Sequence, residues 1–325
     1  MQITLNNNNL TNYFSLGESV NRLLLSAPGI KKLGADRMLP YSFKDQNSKT
    51  LLVTIGDSWS WGSDLSTHND FYDFDDKDWI ITNGGIKNIN QNRLEHSYGN
   101  LLSNCINSDW LNLSCPGAGN FHIADRVSEL SKLIPKLDYD KIIVVCVFTE
   151  VCRHFNSADD TTIDHHMLFQ NFTSIENFLS DLNKFAVDQI VSVLADFTHV
   201  QLLVGTNFVD KIGFDRLSGQ QLLSTPWYQL LGIGRSSAIF LAGDLSWPNF
   251  VRSIEDNTIP AGLHQLFKQF IVDCQDYEKT IEREYEQSLY FDGKLHHPNK
   301  QGHKLWADYL FERIQNIGAD CARNT

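Results

Sequence analysis

A chain of 325 residues with 42% hydrophobic content carries enough apolar side chains for one large core or two modest ones, which excludes disorder on a large scale. The formal net charge of -12, without clustered Lys and Arg, excludes a general nucleic-acid binder and disfavours an anionic membrane surface as partner. No apolar run reaches the roughly 18 residues of a bilayer span, and the start, MQITLNNNNLTNYF, lacks the basic, apolar and small-residue order of a secretory signal. The expected location is therefore the cytoplasm, or a particle if the chain is of viral origin.

Residues 1–49, with an Asn tract at Asn6 to Asn9 and a helix-like patch from Val20 to Leu25, read as an extension packed on the domain that follows. Leu51, Leu52, Val53 and Ile55 form an apolar run suited to a strand covered on both faces, and it stops at Gly56-Asp57-Ser58. Acids and aromatics then alternate between Asp64 and Gln91: a solvated loop, or a lip with aromatic faces for a ligand. Leu94, Tyr98, Leu101, Leu102 and Cys105 predict a helix, and Trp110, Leu111 and Leu113 a short strand. A glycine-bearing turn, Cys115 to Asn120, opens a second helix with Ile123, Val127, Leu130 and Ile134 on one face, closed by Pro135.

Lys141 to Phe148 is the strongest buried-strand run; a third helix follows through Ile175 to Ile190, then a fourth strand from Val200 to Val204. Residues 205–260 are irregular, with a weak fifth strand near Ala238 to Leu241. A long helix through Leu263 to Tyr277, a Gly-containing loop from Ser288 to His297, and a terminal helix with Trp306, Leu310 and Ile314 complete the chain. Strands alternating with helices predict a doubly wound (flavodoxin-like), mostly parallel α/β sheet of about five strands with helices on both faces. Residues 50–325 make one domain with an irregular insertion around 205–260, since no linker-like composition divides them.

The six cysteines show no CxxC pairing and read as reduced packing thiols. His165 and His166, with Asp164, do not make a metal site, because adjacent residues in extended chain point apart and no third ligand is evident. No metal or other cofactor is expected.

A serine at the end of a buried strand is a candidate nucleophile, although Gly, Asp and Ser are also the commonest turn residues. The nucleophile-elbow pattern G-x-S-x-G fails, because Ser60 stands where its last glycine belongs. Taken in order, Gly56-Asp57-Ser58, the turn from Asn112 through Gly117 to Asn120, and His297-Pro298-Asn299 with Gly302 and His303 resemble the SGNH or GDSL hydrolase family over residues 50–315. The third block departs from the family's Gly-x-Asn-Asp: Val147-Phe148-Thr149-Glu150 stands there. The family's Asp three residues before the His also moves, because position 294 is Lys294 and Asp292 lies five before His297.

The resemblance implies a serine esterase with Ser58 as nucleophile, His297 as base and Asp292 as orienting acid, reached through a two-residue bulge. The other options are that His297 works without a carboxylate, or that His296 is the base. Backbone N–H groups of Ser58 and Gly117, with Asn120 or Thr149, would form the oxyanion hole. Trp59, Arg153 and His296 are candidate substrate contacts. The expected reaction is covalent acyl transfer from a carboxylic ester, the preferred substrate a small-molecule or polysaccharide ester bearing O-acetyl or similar small acyl groups. A lipase or thioesterase, and a non-catalytic carbohydrate-binding or particle-associated protein on a decayed hydrolase scaffold, are the alternatives.

Overall fold

The computed structural model describes residues 41–42, 48–62, 65, 95–114, 118–149, 175–207, 214–232, 290–292 and 297–323. Four parallel strands form its centre: β2 (Thr50–Ile55), β3 (Asp109–Asn112), β4 (Lys141–Phe148) and β5 (Val200–Thr206). Their order is β3-β2-β4-β5, and the two-residue strand β1 (Tyr41–Ser42) adds antiparallel to β3, with Tyr41 opposite Leu111. The predicted strand near Ala238 lies outside the described residues, so the fifth strand of this sheet comes from before β2 instead.

Alternate side chains of each central strand enter different cores, which explains the unbroken apolar runs in the sequence. Leu51, Val53 and Ile55 of β2 join Ile142, Val144 and Cys146 of β4 on one face. There α3 (Asn120–Leu133) and α4 (Ile175–Leu194) cover them through Ala124, Val127, Leu130, Ala186, Val187 and Ile190. Leu52, Ile143, Val145 and Val147 face the other way, under α2 (Tyr98–Cys105) and α6 (Lys300–Arg323), with Tyr98, Leu102, Trp306 and Leu310. Helices therefore lie on both faces of an open parallel sheet, as the sequence pattern predicts.

The helices start and stop for local reasons. Asn299 caps α6, its Oδ1 accepting from the Gln301 and Gly302 N–H groups at 2.9 and 3.1 Å. Pro135 does not simply end α3; it continues into a 3₁₀ turn, Ile134–Lys136, where a proline near the start loses no helical hydrogen bond. Within the predicted loop from Ser288 to His297, β6 (Phe291–Asp292) and β7 (His297–Pro298) pair antiparallel. Strands of two residues leave no periodicity for a sequence reading to find. Among the described residues, no helix is long and apolar enough to cross a membrane.

Candidate active site

The strand order reverses between β2 and β4, and the carboxyl edge beside that switch point is where open α/β sheets bind ligands. Ser58 stands at this edge. Gly56 ends β2, and α1 (Ser58–Trp61) folds back over the strand so closely that a Cβ at Gly56 would lie 2.3 Å from Ser60 Oγ and 3.0 Å from the Val147 carbonyl oxygen. The glycine is needed for this close approach. Gly62, with φ of 86°, closes the turn in the left-handed region.

Asp57 caps α1, its Oδ1 accepting from Trp59 N–H at 3.0 Å. The same oxygen accepts from Asn207 Nδ2 at 2.6 Å, while Oδ2 accepts from the Thr149 hydroxyl at 2.8 Å. Asp57 and Asn207 are fully buried. One carboxylate thus joins the ends of β2, β4 and β5. Asn207 carries no motif; its only signal in the sequence is a polar residue three positions after Val204, where the apolar run of β5 ends.

Asn120 and Thr149, the two candidate side-chain donors, are engaged with each other and with this hub. Asn120 Oδ1 accepts from Thr149 N–H at 2.9 Å, and Nδ2 donates to the Thr149 carbonyl at 3.2 Å and to Asn183 Oδ1 at 2.9 Å. Both amide hydrogens of Asn120 are used, as is the hydroxyl hydrogen of Thr149. Ser58 differs: it is 4% exposed, and among the described residues its hydroxyl has no hydrogen-bond partner.

His297 arrives from the other end of the chain. β7 lies against α1, with α-carbons within 8 Å, and His297 is buried to 6% exposure. Its backbone partner across the β6–β7 ladder is Asp292. The two positions, five apart in sequence, therefore face each other across a β-hairpin. Asn299 N–H donates to the Tyr290 carbonyl at 2.7 Å and fixes the base of this hairpin. Gly302 fits because a Cβ there would meet that same carbonyl at 2.9 Å.

Behind His297, His303 is fully buried, its Nδ1 accepting from the N–H of Tyr98, the first residue of α2, at 3.1 Å. It stacks on the Tyr98 ring at 6.0 Å and meets Trp227 edge-on at 5.1 Å. Burial, with His297 and His96 adding repulsion, pushes its imidazole down to about 3. It is a neutral acceptor, not a second base.

Trp59, expected beside a ligand, occupies the core at 1% exposure, edge-on to Trp227 at 5.4 Å. Its flanking position in sequence does not make it a surface residue, because α1 turns it inward toward Trp227. Gly117, Arg153 and His296 lie outside the described residues, as do His165, His166 and the acidic, aromatic segment from Asp70 to Trp79. No group of three or more metal-ligating side chains occurs among the described residues.

The fold and this edge define an open, doubly wound α/β protein with a serine at its switch point. No family model matches the sequence, and neither does any curated protein. Among solved structures it is similar to carbohydrate esterases. One is a carbohydrate esterase whose active site displays divergent catalytic and non-catalytic binding functions, at 10% identity and a TM-score of 0.38 over 84% of this chain and 67% of that one. Another is a family two carbohydrate esterase from Clostridium thermocellum in complex with cellohexaose, at 13% identity and a TM-score of 0.38 over 86% and 67%.

Proposed function

We propose that this chain is a serine esterase of the SGNH type, acting on small acyl esters of carbohydrates, with Ser58 as nucleophile and His297 as general base. The observation that carries the proposal is the approach to α1, which begins with Ser58, of β7, which begins with His297, two elements distant in sequence. The Ser58 hydroxyl, without a hydrogen-bond partner among the described residues, supports it further; the hydroxyls of Thr149 and Ser114 are spent on Asp57 and the Thr54 carbonyl. The sugar preference rests on the aromatic and acidic residues between Asp70 and Trp79.

Ser58 Oγ attacks the ester carbonyl carbon as His297 takes the hydroxyl proton; the C–O bond to the alcohol breaks, and the proton passes to the leaving oxygen. Water repeats the sequence on the acyl-enzyme and releases the acid. Asp292 is assigned the orienting role because it is the backbone partner of His297. With Asn120 and Thr149 held by their own bonds, the oxyanion falls to backbone N–H groups, those of Ser58 and Gly117.

That same engagement favours one other reading, a binding protein on a hydrolase scaffold, and one experiment separates the two. A fluorophosphonate probe should label the wild type and fail to label Ser58→Ala and His297→Ala, both still folded by circular dichroism. Absence of wild-type labelling would favour the binding protein, and undiminished ester hydrolysis by Ser58→Ala would end the assignment.

A further inference from the structure

From the buried hub at the switch point, we infer that Asn207 is a positioning residue for the nucleophile, acting through Asp57. This rests on the esterase reading above. Asn207 lies one residue beyond β5, its N–H donating to the Phe148 carbonyl at 2.8 Å and its own carbonyl accepting from Tyr228 N–H at 3.0 Å. Its backbone is thereby tied to β4 and to α5 (Trp227–Leu230). From this anchored position its side chain reaches Asp57 at 2.6 Å.

The chemistry of the contact fixes its sense. A carboxamide oxygen facing the Asp57 oxygen at that distance would oppose two acceptors, so the nitrogen is the atom that faces the carboxylate. Among the described residues the other end, Asn207 Oδ1, is buried without a partner. An orphaned buried acceptor destabilises the fold, and an apolar side chain would fill the same space without it. What the asparagine supplies is a second side-chain donor to a buried carboxylate.

That carboxylate immediately precedes Ser58 in the chain. Held from β4 by Thr149 and from β5 by Asn207, Asp57 cannot rotate, and its bond to Trp59 N–H fixes the turn on which the Ser58 hydroxyl and N–H are carried. Loss of the Asn207 donor removes the hold from β5 on that carboxylate and lets the turn relax. A hydrogen bond to a charged group is strong enough for its loss to cost about tenfold to a hundredfold in rate.

The test measures the second-order rate of fluorophosphonate labelling of Ser58 in the full chain for wild type, Asn207→Ala, Asp57→Asn and the double variant, with thermal unfolding recorded for each. The expected result is folded protein, labelling slowed at least tenfold in Asn207→Ala, and a double variant no slower than Asp57→Asn alone. Non-additivity in folded protein is a result that a merely structural role would not give. A wild-type rate in folded Asn207→Ala, or effects that multiply in the double variant, would overturn the inference while leaving the esterase reading intact. A wild type that is not labelled would overturn both. Should Asn207→Ala not fold, Asn207→Ser replaces it, retaining a donor; failure of that variant to fold would assign Asn207 to stability alone.

Discussion

His303 makes the stability of this protein depend on pH below the ordinary histidine value. The folded state holds the imidazole neutral, pushed down from an ordinary value of 6.5 to about 3, first by burial and then by His297 and His96. Tyr98, whose phenol burial pushes up, also faces it and stays uncharged. Because the folded value is depressed, the unfolded chain binds the proton more readily below 6.5. The contribution is therefore complete above pH 6.5 and is lost as pH falls toward 3. Between pH 6.5 and 4.5 the loss is about 2 kcal/mol, the slope reaching its full value of about 1.4 kcal/mol per unit only below pH 6. For a chain of 325 residues this lowers the melting temperature by roughly 3 °C. Asn in place of His303 keeps an acceptor near the Nδ1 position for Tyr98 N–H and does not titrate. Urea unfolding of wild type and His303→Asn at both pH values isolates the effect, since any constant cost of the substitution cancels. Equal losses in the two proteins over the interval would refute the argument.

Two further predictions concern packing beside the site. Gly99 lies where a Cβ would come within 2.4 Å of the Trp110 indole nitrogen, itself donating to Thr54 Oγ1 at 2.9 Å, so Gly99→Ala should lift α2 from β3. A loss of about 1–3 kcal/mol in urea unfolding is expected, and an unchanged midpoint would show that the indole moves freely. Asn299→Ala removes the cap of α6 and should cost about 1 kcal/mol, with Asn299→Ser recovering most of it; no recovery would mean that the side chain acts other than as a cap.

The parallel sheet was readable because its strands are buried on both faces, and a run such as Lys141 to Phe148 has few other physical uses. The start of α6 was equally open to reading, since Pro298, Asn299 and Gly302 are a helix entry in composition as well as in fact. What sequence could not supply was register. The pairing of Phe148 with Thr206 carries Asn207 to the side of Thr149, and no local pattern in Gly205-Thr206-Asn207 announces that neighbour. The pairing of Asp292 with His297 was hidden for the same reason: it is a matter of register, which strands of two residues do not announce.

The departures in the third block gain a physical sense from this register. Where the sequence pattern leads one to expect an amide after β4, Thr149 places a hydroxyl, and that hydroxyl goes to Asp57. An amide on the same carboxylate comes from the next strand, through Asn207. A carboxylate needing two side-chain donors can draw them from either neighbour, because parallel strands end side by side at the switch point. The residue before the serine is therefore held from both β4 and β5, and Asn207 is the residue through which the hold from β5 can be measured.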